Sequence, residues 1–161
     1  LDKKLPRGIR RGSLDSSALK AVGVWFRSNS TGRYLYLLRN DVKHPGNWGL
    51  PGGKLESGET LLSGMERECI EELGYFPQYQ RLVPLEKFTS ADRTFEYHTW
   101  VCSVDQEFVP TLNHEHLGYA WINAGIFPRP MHPGLWNTVN IDAVKDKILR
   151  LEQDFAIITP T

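Results

Sequence analysis

The chain has 161 residues, enough for one domain with a sizeable core and too few to suggest two. Basic (Lys, Arg) and acidic (Asp, Glu) residues number 19 each, so no overall field draws the protein toward nucleic acid or an anionic membrane, and any phosphate recognition must be local. No apolar run approaches the roughly 20 residues that cross a bilayer, the first residues lack the apolar core of a secretory signal, and Cys69 and Cys102 sit among apolar neighbours as reduced thiols would, so a cytoplasmic protein is expected.

Residues 1–18 carry Lys3, Lys4, Arg7, Arg10 and Arg11 with little apolar content and predict a flexible basic arm, leaving 19–161 as a single domain. From Leu19 the texture changes: "LKAVGVWF" and "RYLYLLR" are β-rich runs joined by "SNSTG", a predicted hairpin. A long loop dense in glycine and proline follows, from Asn40 to Glu59, and loops of that length inside compact domains are usually functional. Thr60 to Leu73 has helical periodicity closed by Gly74. "RLVPLEKFTS", "RTFEYHTWVCSV" and "HLGYAWI" predict further strands, and Ile141, Val144, Ile148 and Leu151 give Leu135 to Phe155 the spacing of one amphipathic helix. Strands mixed with two helices well apart in sequence predict an α/β sandwich, a mixed sheet with a helix on each side.

At 100° per residue, Leu61, Leu62, Met65, Cys69 and Leu73 fall within an arc of about 120° that should face the sheet. Glu68, Glu71 and Glu72, spaced i, i+3 and i+4, occupy the adjoining arc of about 100°, bordering the core rather than opposing it. Like charges in partial burial raise one another's pKa or cost stability unless a positive group compensates, and a hard divalent cation with oxygen ligands is the natural compensator. Gly64, one turn before Glu68, is expected to leave room for a ligand, and "PGG" at Pro51 to Gly53 to bring the Gly52 carbonyl toward whatever the helix binds. Arg67 is placed to clamp this loop to the helix through Glu59.

Together Gly53, Glu59, Arg67, Glu68, Cys69, Glu71, Glu72, Gly74 and Tyr75 resemble the signature of the Nudix hydrolases, G-x5-E-x7-R-E-U-x-E-E-x-G-U with U aliphatic. All the fixed positions match, an agreement expected by chance on the order of once in 10⁸ to 10⁹ windows; Cys69 and Tyr75 depart at the two U positions, which bears on packing rather than chemistry. The resemblance implies an α/β/α sandwich that uses Mg²⁺ or Mn²⁺ to hydrolyse a nucleoside diphosphate linked to another moiety. By it, Glu68 and Glu72 ligate metal, Glu71 ligates or orients a water, the Gly52 carbonyl completes the inner set, and Glu59 pairs with Arg67 to position the helix.

Outside the signature, "NHEHLGYAW" places His114, Glu115 and His116 at the start of a strand. Zinc is disfavoured there because consecutive extended residues face opposite ways. Nudix enzymes often draw an extra ligand or the general base from this region, which nominates Glu115, with His116 the second candidate for base because histidine titrates near neutrality. The stretch is similar to that of asymmetric diadenosine tetraphosphate hydrolases and, more loosely, GDP-mannose hydrolases. The latter carry an altered signature, so attack at phosphorus is favoured over attack at a sugar carbon. Arg39, ending its strand, is a candidate for substrate phosphate or base, or else a strand-end charge; Trp48 is a candidate for base stacking, or else core. The expected substrate is a small nucleotide: a dinucleoside polyphosphate, a nucleotide sugar such as ADP-ribose, or a nucleoside triphosphate. DNA is not expected as a partner. A 5′-end RNA pyrophosphohydrolase using the basic arm, a nucleotide-sensing module without catalysis, and a homodimer stay open as alternatives.

Overall fold

The structure is a computed structural model that describes residues 18–158; the basic arm expected over 1–18 lies, but for its last residue, outside the described residues, as do 159–161. Seven strands form one mixed sheet: β1 (Leu19–Ser28), β2 (Arg33–Arg39), β3 (Trp48–Gly49), β4 (Gly52–Lys54), β5 (Arg81–Thr89), β6 (Phe95–Val104) and β7 (His116–Asn123). Three helices accompany them, α1 (Leu61–Leu73), α2 (Pro133–Val139) and α3 (Asp142–Ile158).

The β1 sequence is apolar on both faces because both are covered. Val22, Val24 and Phe26 join Leu35 and Leu37 of β2 and Met65, Cys69 and Leu73 of α1 in one buried cluster. Trp25, Tyr34 and Tyr36 point the other way, to Leu135 and Val139 of α2 and Val144, Leu151 and Phe155 of α3. The alternation of side chains along two central strands thus builds two cores and the three-layer α/β/α arrangement. Cys69 and Cys102 are free thiols buried in the α1-side cluster, as their apolar neighbours predicted.

How the strands pair decides where a site can form. The β1–β2 hairpin is antiparallel with Arg27 opposite Tyr34, and beyond that point the strands take other partners. β1 runs parallel to β6 from Leu19↔Phe95 to Ser28↔Val104 and receives β4 on its other side, Gly23 opposite Gly52. β2 pairs with β7 along one edge and with β3 along the other, Leu37 opposite Gly49. The sheet is therefore wedged open between β1 and β2, with the glycine-rich segment in the wedge. That segment, read from sequence as loop from Asn40 to Glu59, contributes two short strands because its glycines let backbone approach backbone.

Two further sequence expectations change. The single helix over Leu135 to Phe155 is two: Asn140 caps α2, its Nδ2 donating to the Trp136 carbonyl at 2.7 Å, and Ile141 is exposed at the break. Asparagine competes for backbone hydrogen bonds and so ends helices more readily than it continues them. On α1, Leu62 is exposed although it lies in the apolar arc. The first turn of α1 meets Leu55 rather than the sheet, and Leu61 alone of the two leucines packs there. No helix among the described residues is long and apolar enough to cross a membrane.

Candidate active site

Thr60 begins α1 with a reciprocal cap: its Oγ1 accepts from the Ser63 backbone N–H at 3.1 Å, and Ser63 Oγ accepts from the Thr60 N–H at 2.9 Å. Gly74 ends the helix in the left-handed conformation. Between these caps, the register turns Glu68 and Glu72 toward β4, where both are buried. Gly52, at φ +148°, has room for no Cβ, since one would collide with the Val22 carbonyl oxygen. Its N–H donates to Glu72 Oε1 at 3.1 Å. A Cβ on Gly53 would lie 2.5 Å from Glu68 Oε2. The two glycines therefore bring the β4 backbone against the two carboxyl groups.

Burial raises the pKa of both carboxyls, Glu72 the further; Glu68 raises Glu72 again, whereas the hydrogen bond with Glu72 eases the ionisation of Glu68. A proton on Glu72 can be donated to Glu68, which is how the pair is satisfied without a cation. Buried, adjacent, oxygen-only donors with excess proton affinity fit a hard divalent cation.

The third glutamate departs from expectation. Glu71 is exposed, and its Oε2 takes a 3.1 Å hydrogen bond from Arg67 Nη1. Among the described residues, no three His, Cys, Asp or Glu side chains converge as a metal cage. The angular spacing put three carboxylates on one arc, but only Glu68 and Glu72 reach β4, while Arg67 holds the outermost one. Gly64 is also corrected. Its missing side chain makes room for Leu55, whose Cγ would be 2.8 Å from a Cβ there, and for Glu59 Oε1 at 3.2 Å, so the space is filled by the preceding loop and not by a ligand.

Arg67 is the hub of that loop. Its Nε donates to Glu59 Oε2 at 2.6 Å and its Nη2 to Glu59 Oε1 at 3.0 Å, a bidentate pair that lowers the Glu59 pKa. Nη2 also donates to the Lys54 carbonyl at 3.0 Å and Nη1 to Glu68 Oε2 at 3.3 Å. One guanidinium thus joins β4, the loop and α1.

Across the wedge, Arg39 at the end of β2 makes a bidentate pair with Asp41, Nε to Oδ1 at 2.9 Å and Nη2 to Oδ2 at 2.7 Å. Its positive charge reaches His116 and His132, although burial is the larger cause of the drop of each to about 4. His116 therefore lacks the near-neutral titration that made it a candidate base; its Nδ1 is buried with no hydrogen-bond partner among the described residues. Glu115 is exposed, with its carboxylate adding weakly to the field that raises Glu72. Trp48 is half-buried: it packs against the α2–α3 core, its backbone N–H donates to the Pro130 carbonyl and its carbonyl accepts from the His132 N–H.

Two participants escaped the sequence reading. Tyr97 lies over Gly23, its hydroxyl filling the place of a Cβ. Burial and the Glu72 and Glu68 charges raise this phenol to about 12 while the Arg39 charge opposes them, so Tyr97 stands in the field of both the carboxyl pair and the arginine. A glycine in the middle of an apolar strand run was the available signal for such a close approach. Asn113 is the second: its Nδ2 donates to the Glu71 carbonyl at 2.9 Å, and its Oδ1 accepts from the Glu115 N–H at 2.9 Å.

Comparison with known proteins agrees with this architecture. The sequence model of the NUDIX domain matches residues 18–139. A nucleoside triphosphatase NudI of Escherichia fergusonii is 34% identical over 90 residues, 48% of this chain and 62% of the relative, so the chain spans less than two thirds of that protein. Among solved structures, a MutT NUDIX hydrolase from Burkholderia pseudomallei superposes with a TM-score of 0.55 at 24% identity, over 78% of this chain and 96% of that one. An Ap4A hydrolase from C. elegans gives 0.53 at 19%, over 86% and 96%. With the wedge, the capped acidic helix and the β4 glycines all falling inside the matched span, the chain belongs to the NUDIX domain family.

Proposed function

We propose that the protein is a Mg²⁺- or Mn²⁺-dependent pyrophosphohydrolase that cleaves a phosphoanhydride bond in a nucleoside diphosphate-linked substrate. Of the three substrate classes expected from sequence, nucleoside triphosphates are favoured by the name of the Escherichia fergusonii relative. The observation that carries the reading is the buried Glu68–Glu72 pair against the Gly52–Gly53 backbone. Glu68 and Glu72, with the Gly52 carbonyl, would hold the metal, and Glu71 would join them or orient a water on leaving Arg67. When bound, the metal neutralises charge on the phosphoryl oxygens and lowers the pKa of water.

The chain's own residues do the rest. Glu115 takes the proton from the attacking water as its oxygen bonds to phosphorus and the P–O–P bridge breaks, the bridging oxygen leaving with the departing phosphate. Glu59 and Arg67 fix α1 against β4 so that Glu68 stays at Gly53. Arg39, once exchanged from Asp41 to substrate, binds a phosphate or the base edge. The intact signature favours phosphorus over a sugar carbon as the point of attack.

The test is product identification after incubating a panel of nucleoside triphosphates, dinucleoside polyphosphates and nucleotide sugars with each metal in labelled water: a nucleotide with phosphate or diphosphate, two nucleotides, or a nucleoside monophosphate with a sugar phosphate, respectively. Glu72→Gln should lose at least about 100-fold in metal-dependent kcat, within the range that positioned charge contributes. Full turnover by that variant on every substrate cleaved by the parent would remove the metal role.

A further inference from the structure

We propose that Asn113 is a positioning residue: its side-chain amide ties the segment carrying Glu115 to the last turn of α1 and so sets where the Glu115 carboxylate stands relative to Glu72. The inference rests on Glu115 being the proton acceptor, as proposed above.

Glu115 precedes β7 on a connection that must be fixed at both ends if an exposed carboxylate is to act on one reacting atom. From the strand side, the Asn40 N–H donates to the Glu115 carbonyl at 2.9 Å and Asn40 Nδ2 to the His114 carbonyl at 3.1 Å. These anchor the backbone beside Arg39, where the β2–β7 register shifts. From the helix side, the last four carbonyls of α1 lack partners within the helix. The Thr111 N–H takes the Leu73 carbonyl at 2.8 Å, and Asn113 Nδ2 takes the Glu71 carbonyl at 2.9 Å.

Asn113 then uses its other end, Oδ1, to receive the Glu115 N–H at 2.9 Å. A single amide therefore spans from the residue next to Glu72 to the backbone of Glu115. Only a carboxamide of this length offers both a donor and an acceptor in that span: aspartate would set an acceptor against the Glu71 carbonyl, and alanine would release both bonds. Because the tie runs to the helix that carries Glu68 and Glu72, any shift of α1 moves the proton acceptor with it.

The test is steady-state kinetics of the whole protein with the nucleoside triphosphate it turns over fastest, comparing Asn113→Ala, Asn113→Asp, Glu115→Gln and the Asn113→Ala/Glu115→Gln pair. Glu115→Gln should lower kcat by about 100-fold or more. Asn113→Ala should lower kcat about 10-fold with KM within about 2-fold, because a misplaced general base costs rate rather than binding. The double variant should be no slower than Glu115→Gln alone. Should Asn113→Ala fail to fold, Asn113→Asp, which keeps the acceptor to Glu115 and loses the donor to Glu71, carries the same comparison. Wild-type kcat in the Asn113 variants, or an additive loss in the double variant, overturns the positioning role while leaving Glu115 as base. Wild-type kcat in Glu115→Gln overturns the base assignment itself, and this inference with it.

Discussion

Glu72 shows how one side chain can be costly to the fold and useful to the site. Its pKa is raised by burial first, offset in part by the Gly52 N–H and raised again by Glu68. A carboxyl whose folded pKa lies above its ordinary value of 4.5 binds its proton more tightly in the native state, so it adds stability below that value and loses it as pH rises toward the folded pKa. The metal-free protein should therefore lose stability as pH rises from mildly acid to alkaline. Glu72→Gln, a neutral isostere that keeps an acceptor for Gly52, should flatten that loss and abolish the rise in melting temperature on adding Mg²⁺. Thermal melts across pH with and without the metal decide this; an unchanged Mg²⁺ shift in the variant counts against the pair as ligands. By the same proton linkage, Mg²⁺ binding to the parent should release protons and tighten with pH, which calorimetry in two buffers of different ionisation heat reads directly. The backbone partner is equally constrained. Gly52→Ala, forced into φ +148° and against Val22, should cost about 3 kcal/mol, the upper end of the strain range for such positions, and should lower the denaturant midpoint accordingly.

At the scale of the element, α1 is placed by its surroundings as much as by its periodicity. The Gly74 cap and the apolar positions Met65, Cys69 and Leu73 were legible because they obey local rules, whereas Thr60, read as the first helical residue, is the N-cap. Exposure of Leu62, filling of the Gly64 space by Leu55 and diversion of Glu71 to Arg67 were not, since each depends on what lies opposite. Arg67 is the element's main fastening. Arg67→Lys keeps the charge but not the two parallel bonds to Glu59, nor the reach to Lys54 and Glu68. Because Arg67 is partly exposed, the stability lost should be only about 1 kcal/mol, a fall of roughly 2–4 °C in a domain of this size. The loss in kcat should be larger in proportion, about 10-fold or more, as displacement of α1 moves Glu68 from Gly53. A variant equally impaired in melting and turnover would reduce Arg67 to a stabilising residue.

Over the whole molecule, the sheet separates the tasks of its two faces. On the α3 side, Arg27 donates to Glu152 at 2.7 and 3.1 Å, lies 4.5 Å from the Phe155 ring centroid, and shares Glu152 with the Tyr34 hydroxyl at 2.6 Å. This buried group fastens the last helix to the hairpin end of β1 and β2, away from β4. Removing one partner leaves a buried charge uncompensated, so Glu152→Gln should destabilise by about 3 kcal/mol. It should leave kcat of the folded fraction unchanged; denaturant unfolding and kinetics on the same preparation distinguish the two, and a selective fall in kcat would argue against the separation.

The amino-acid sequence by itself determined the elements and the chemistry on offer: the two-faced apolar strands, the capped helix, the glycine-rich segment before it, and carboxylates spaced to meet a cation. These follow from 2.0- and 3.6-residue periods and from local hydrogen bonding, which act over a few neighbours in the chain. Only the tertiary structure decided which carboxylates are buried, that β1 and β2 part to admit β3 and β4, that Tyr97 lies over Gly23, that His116 is half-buried, and that Asn113 joins loop to helix. Burial, proton affinity and side-chain pairing are set by groups dozens of residues away, and no local pattern encodes which of them will meet.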